Sequence, residues 1–136
     1  MRSLLRVGVL ALALATACSD EPETEGADLG SGRPDRPPRG LTSEQWGERL
    51  FAEQGCSGCH TLYGARSVGG SLGGIWGAAR EFTDGSTGAV DEAYVRESID
   101  APSAKVVAGY EDRMPSYRQL MSQAQVDALV AFLAAQ

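Results

Sequence analysis

Cys56-Ser57-Gly58-Cys59-His60 sets two thiols three positions apart and an imidazole directly after the second. Three chemistries use cysteines paired at this spacing: a zinc site, a redox dithiol and covalent capture of a porphyrin. A zinc ribbon needs a second pair of Cys or His ligands, and His60 is the only histidine in the chain. A thioredoxin-like dithiol needs a strand before it and a helix after it. Here a helical pattern precedes Gly55, and the stretch from Gly64 to Gly74 reads as loop. The third chemistry uses all three residues. Two thiols on one helical turn each add to a porphyrin vinyl group while the adjacent imidazole turns toward the iron, which is the attachment pattern of c-type haem.

Helical signals flank the motif on both sides. Before it, Thr42 and Gln45 form a capping box, Trp46, Leu50 and Phe51 make an apolar stripe, and Gly55 stops the pattern. A second helix starts near Asp91, with Val90 and Val95 as a hydrophobic staple, and ends before Pro102; Tyr94, Val95 and Ile99 form its buried face. In the last helix Ser122 and Gln125 make a capping box, Met121 and Val126 a staple, and Val126, Leu129, Val130 and Leu133 the buried stripe. No run alternates as a strand should. The expected fold is all-α, with three to four helices and a glycine-rich loop around one flat cofactor. Ten of the 17 glycines fall between Gly55 and Gly88, and aromatic residues make up only 7% of the 136. A core so composed is marginal at this size, which calls for a bound group as reinforcement.

Upstream, Arg2 and Arg6 precede eleven largely apolar residues from Val7 to Ala17. A bilayer span needs about 20, so residues 1–17 read as an export signal. Leu14-Ala15-Thr16-Ala17-Cys18 resembles a bacterial lipobox, with Ala15 where leucine is usual; the resemblance implies a lipid on Cys18, the alternative being an ordinary cleaved signal. Residues 18–40, acidic and then Pro-rich, read as a flexible linker. The domain is expected over 41–136. Its expected location is outside the cytoplasm, in the periplasm or an equivalent space, lipid-anchored to a bacterial membrane. With 12 Lys and Arg against 18 Asp and Glu, the net charge is -6, and it becomes -8 without the leader. Nucleic acid is therefore not an expected partner.

From Thr42 to Leu133 the chain resembles a class I cytochrome c domain, and specifically the haem domain that ends subunit II of cytochrome oxidases carrying their own cytochrome c. The segments that carry the likeness are Gly47-Glu48-Arg49-Leu50-Phe51, the Cys56–His60 motif, Asp84-Gly85-Ser86-Thr87, Asp91 to Ile99, Val106-Val107-Ala108-Gly109-Tyr110 and Met114-Pro115-Ser116-Tyr117. The resemblance implies that the first and last helices pack together beside the haem, with Phe51 near Phe132. It also implies that Met114, followed by Pro115, is the axial partner of His60. Met121 and a vacant sixth position are the alternatives; a second histidine does not exist. The family's Gly-Pro, whose proline carbonyl accepts the imidazole N–H, is Gly69-Gly70 here, so the Gly70 carbonyl takes that part. Trp76, Tyr110 and Arg80 are the candidates for meeting the haem propionates.

The expected function is one-electron transfer without a transformed substrate, between a quinol-oxidising or other respiratory donor and a terminal oxidase. Two other readings stay open. One is the haem subunit that receives electrons in a periplasmic dehydrogenase. The other is a haem peroxidase or gas sensor with an open iron site, for which the chain has no second histidine to serve as acid or base.

Overall fold

The computed structural model describes residues 32–136. The export signal, Cys18 and the linker up to residue 31 lie outside the described residues. In chain order the elements are α1 (Ser43–Glu53), the strands β1 (Ala79–Glu81) and β2 (Thr87–Ala89), α2 (Glu92–Asp100) and α3 (Gln123–Ala134), with single 3-10 turns at Cys56–Gly58 and Pro102–Ala104. Among the described residues no helix is long and apolar enough to cross a membrane.

Each helix starts where its sequence offers a substitute for the missing carbonyls. The Thr42 hydroxyl accepts from the Gln45 amide at 3.2 Å, and the Gln45 side chain accepts from the Thr42 amide at 3.0 Å. Ser122 and Gln125 repeat this box at α3, at 3.2 and 2.9 Å. At α2, Asp91 accepts from the Tyr94 amide at 2.8 Å. Such caps contribute about 1 kcal/mol each. The stripes of α1 and α3 then bury one another: Trp46, Leu50 and Phe51 lie in one cluster with Val126, Leu129, Val130, Phe132 and Leu133. The Phe51 and Phe132 rings meet at 5.7 Å between centroids, tilted by 52°. Val95 and Ile99 bring α2 into the same cluster, and Val90 and Met121, the staple residues, are buried in it.

Two features depart from the sequence reading. The fold is helical as expected, yet β1 and β2 form an antiparallel hairpin with Arg80 opposite Gly88, and Phe82 bridges to Val107 beyond it. Three-residue strands exposed at both ends and half-buried at the middle residue carry no alternation to read. The second departure is at the linker. Its last part is tied to the domain: Arg33 donates to the Gln119 carbonyl at 2.6 Å, and the Ser122 hydroxyl donates to the Pro34 carbonyl. Residues 33 and 34 of the expected linker are thus bonded to the segment before α3.

Candidate haem-binding site

At the end of α1, Gly55 takes φ +78° and turns the chain out of the helix. That left-handed conformation is costly for any residue with a Cβ. The turn that follows is tight: the amides of Cys59 and His60 both donate to the Cys56 carbonyl, at 3.1 and 2.9 Å. It brings both thiols and the imidazole onto the lining of one cavity of about 490 Å³, within the range of small-molecule and cofactor sites.

The next loop folds back over the imidazole. Gly69 donates to the Cys59 carbonyl at 2.8 Å and Leu72 to the Thr61 carbonyl at 2.7 Å. The His60 Nδ1–H donates to the Gly70 carbonyl at 2.8 Å, the bond expected in place of the family's proline. Gly69 packs directly on the ring, since a Cβ there would lie 2.5 Å from His60 Cε1. The imidazole is thus oriented by a hydrogen bond and seated on bare backbone.

Phe51 and Leu133 from the helix pair, Leu72 and Ile75 from the glycine-rich loop, and Val106 and Met114 from the segment before α3 line the cavity. Met114 is half-buried. Met121 is 5% exposed and packed in the helix cluster, away from the cavity lining. Of the three propionate candidates, Tyr110 and Arg80 line the cavity and Trp76 does not. Trp76 is 39% exposed, while its neighbour Ile75, at 8%, takes the inward place. Three cations line the cavity. Lys105 pairs with Glu97 at 2.6 Å and Arg113 with Glu111, whereas Arg80 has no carboxylate partner among the described residues.

Burial pushes the Cys56 thiol above its ordinary value, while Cys59 is exposed. Burial, with the neighbouring Cys56 and Cys59, also raises the Tyr117 phenol. Its hydroxyl donates to the Gln54 carbonyl at 3.0 Å, tying the loop after Met114 to the end of α1. The sequence reading assigned Tyr117 no role, because a side chain that bonds a carbonyl 63 positions away leaves no local signal.

These groups suit a covalently held porphyrin. The walls are largely apolar, two thiols stand at the attachment spacing, and one imidazole nitrogen has no protein partner among the described residues. Among the described residues no three His, Cys, Asp or Glu side chains gather as a metal site. No curated protein matches the chain. The family model described as Cytochrome c matches residues 44–136, so that the chain belongs to the cytochrome c family, whose members bind a covalent c-type haem, with Cys56 and Cys59 at the attachment spacing.

Proposed function

We propose that this protein is a membrane-tethered one-electron carrier whose haem iron is held by His60 and Met114. The observation that carries the reading is the His60 hydrogen bond. A carbonyl oxygen only accepts, so the bond to Gly70 keeps the proton on Nδ1 and leaves the Nε2 lone pair for iron. Met114 is supported as the second ligand because it lines the same cavity, while Met121 is committed to the helix core. Bound here, c-type haem supplies a ferric/ferrous couple, and a thioether ligand favours the ferrous form relative to a second imidazole.

The chain's own residues do the remaining work. The largely apolar walls would surround the porphyrin, and the half-buried Arg80, without a carboxylate partner among the described residues, would offer its cation to the propionates. With His60 and Met114 both holding the iron, no open iron site would be left for a substrate. The partners are a respiratory donor such as a quinol-oxidising complex and a terminal oxidase. The protein is exported and anchored to the membrane through a lipid on Cys18.

Carbon monoxide tests the closed site. The haem-loaded protein shows the far-red sulfur-to-iron band and does not bind the gas. Met114→Ala loses the band, lowers the potential and binds carbon monoxide, while Met121→Leu changes neither ligation nor potential. Rapid carbon monoxide binding by native protein at neutral pH overturns this reading in favour of gas or peroxide chemistry. For the tether, mass spectrometry of the mature protein is expected to find a diacylglyceryl Cys18 at the N-terminus; an unmodified Cys18 or a different start excludes it.

A further inference from the structure

The segment that carries Met114 has little backbone support of its own. Among the described residues, no amide from Glu111 to Met114 meets a backbone carbonyl, and Pro115 has no N–H to give. Within the segment the Asp112 carboxylate accepts from the Ser103 hydroxyl at 2.9 Å, an exposed bond. Otherwise the segment is held from its ends. On the far side, the Tyr117 amide donates to Ile99 at 2.9 Å, and the Ser116 hydroxyl to the Asp100 carbonyl at 2.6 Å.

On the near side the Ala108 amide donates to the Glu81 carbonyl at 2.8 Å and the Tyr110 amide to the Val107 carbonyl at 3.1 Å, and a distant residue adds a further hold. Arg66 lies in the loop that folds back over His60. It donates through Nη2 to the Gly109 carbonyl, and its guanidinium carbon stands 4.9 Å from the centre of the Tyr110 ring. Among the described residues this is the only hydrogen bond between loop 61–72 and segment 107–114. Tyr110 continues the chain of contacts: its ring and hydroxyl lie 3.7 to 3.9 Å from where a Cβ on Gly70 would stand. The Gly70 carbonyl is the one that receives the His60 proton. Guanidinium, phenol ring, Gly70 and imidazole thus follow one another as neighbours.

We propose that Arg66 is a positioning residue that clasps Gly109 and Tyr110 onto the loop orienting His60 and so keeps the Met114 segment closed over the cavity. The inference rests on the His60 and Met114 reading above. A guanidinium suits the task because it offers an N–H to the carbonyl and a flat face to the ring at once; an ammonium is a point charge and does only one of these well. Arg66 itself is exposed. Its loss therefore opens the segment locally and leaves the helix core standing.

The test uses the full-length, haem-loaded protein as wild type, Arg66→Ala, Arg66→Lys, Tyr110→Leu and the Arg66→Ala/Tyr110→Leu double variant. Carbon monoxide association, the far-red band, thermal midpoint and exchange of the Ala108 and Tyr110 amides, which donate to the Glu81 and Val107 carbonyls, are read together. In Arg66→Ala, exchange of these two amides rises about tenfold, as expected for losing one exposed hydrogen bond and one cation–π contact, the band weakens and carbon monoxide binding appears. Arg66→Lys recovers part of each change. Tyr110→Leu resembles Arg66→Ala, and the double variant adds nothing to either, because both break one clasp. A lowered thermal midpoint with unchanged exchange, band and gas binding overturns the proposal, as does full additivity in the double variant. Should the wild type itself lack the band, the His60 and Met114 reading fails, and amide exchange still decides whether the clasp exists.

Discussion

Between α1 and α3 the backbones approach so closely that a Cβ on Gly47 would stand 2.0 Å from the Ala128 carbonyl oxygen. Around that point Leu50 and Leu129 are almost wholly buried and the Phe51 and Phe132 rings touch. Segments 61–72 and 107–117 have a different organisation. They are irregular, their lining residues Leu72, Val107, Tyr110 and Met114 are only half-buried, and apart from the Arg66 contacts they face a cavity. The helix pair excludes water by its own packing. The loop half acquires an interior only from the group the cavity holds, so its stability is linked to that group by mass action. Breaking either half should therefore leave a recognisably different remnant.

The largest effect belongs to the thiols. A Cys56→Ala/Cys59→Ala variant, exported normally, loses all haem that survives denaturation, read by haem staining of the denatured chain. In the same variant the amides of 61–72 and 107–117 exchange faster, while those of α1 and α3 keep most of their protection. Stained haem persisting in the double variant removes the attachment assignment. Uniform loss of protection removes the contrast between the halves.

Gly47→Val strikes the other side. The new Cβ meets backbone at Ala128 and the Phe132 Cβ at 2.7 Å, so the helices must separate. Overpacking costs about 1–3 kcal/mol, and contact with backbone puts this site toward about 3. Urea denaturation is expected to show a lowered midpoint, with the far-red band of the surviving folded fraction unchanged. Gly69→Ala reverses that pattern. Its Cβ, 2.5 Å from His60 Cε1, forces the imidazole or the loop to move, at a cost of about 1–2 kcal/mol. The change appears first in reduction potential and spectrum, and only secondarily in the denaturation midpoint.

The two halves were also unequally legible in the sequence. The helix ends rest on residues three apart, as Thr42 with Gln45 and Ser122 with Gln125, and their stripes repeat at helical spacing, so local physics suffices to find them. The imidazole and its Gly70 partner were legible through the resemblance, which supplied the pairing that spacing alone does not. The hairpin was not, because pairing Arg80 with Gly88 uses backbone groups that every residue has. Nor was the choice of Ile75 over Trp76 for the inward position, which the turn at Gly74 to Gly77 decides. Arg66 with Gly109 and Arg33 with Gln119 join side chain to carbonyl across 43 and 86 positions. A carbonyl acceptor imposes no residue type, and such pairs leave no pattern to read.

The smallest expected effect lies at the hairpin turn, which connects to the loop half through Thr83 and Val106, bonded at 2.8 Å. The Asp84 carboxylate accepts from the Ser86 hydroxyl at 2.6 Å and from the Ser86 amide at 2.9 Å. These bonds, the hydroxyl first, hold the Asp84 carboxyl below its ordinary value. A depressed folded value means that the turn's contribution is complete above the unfolded carboxylate value of about 3.9 and is lost as pH falls through the lower folded value. Asp84 is fully exposed, and water screens most of the gain. The shift is therefore best read by NMR titration of the Asp84 carboxyl carbon, with a midpoint below the ordinary value in the wild type and a return toward it in Ser86→Ala. Acidification through that midpoint should quicken exchange of the Thr83 and Ala108 amides, which bond the hairpin to this segment, before it touches α1 or α3. A midpoint at the ordinary value, or simultaneous loss of protection in the helices, would show that the hairpin does not support the cavity side selectively.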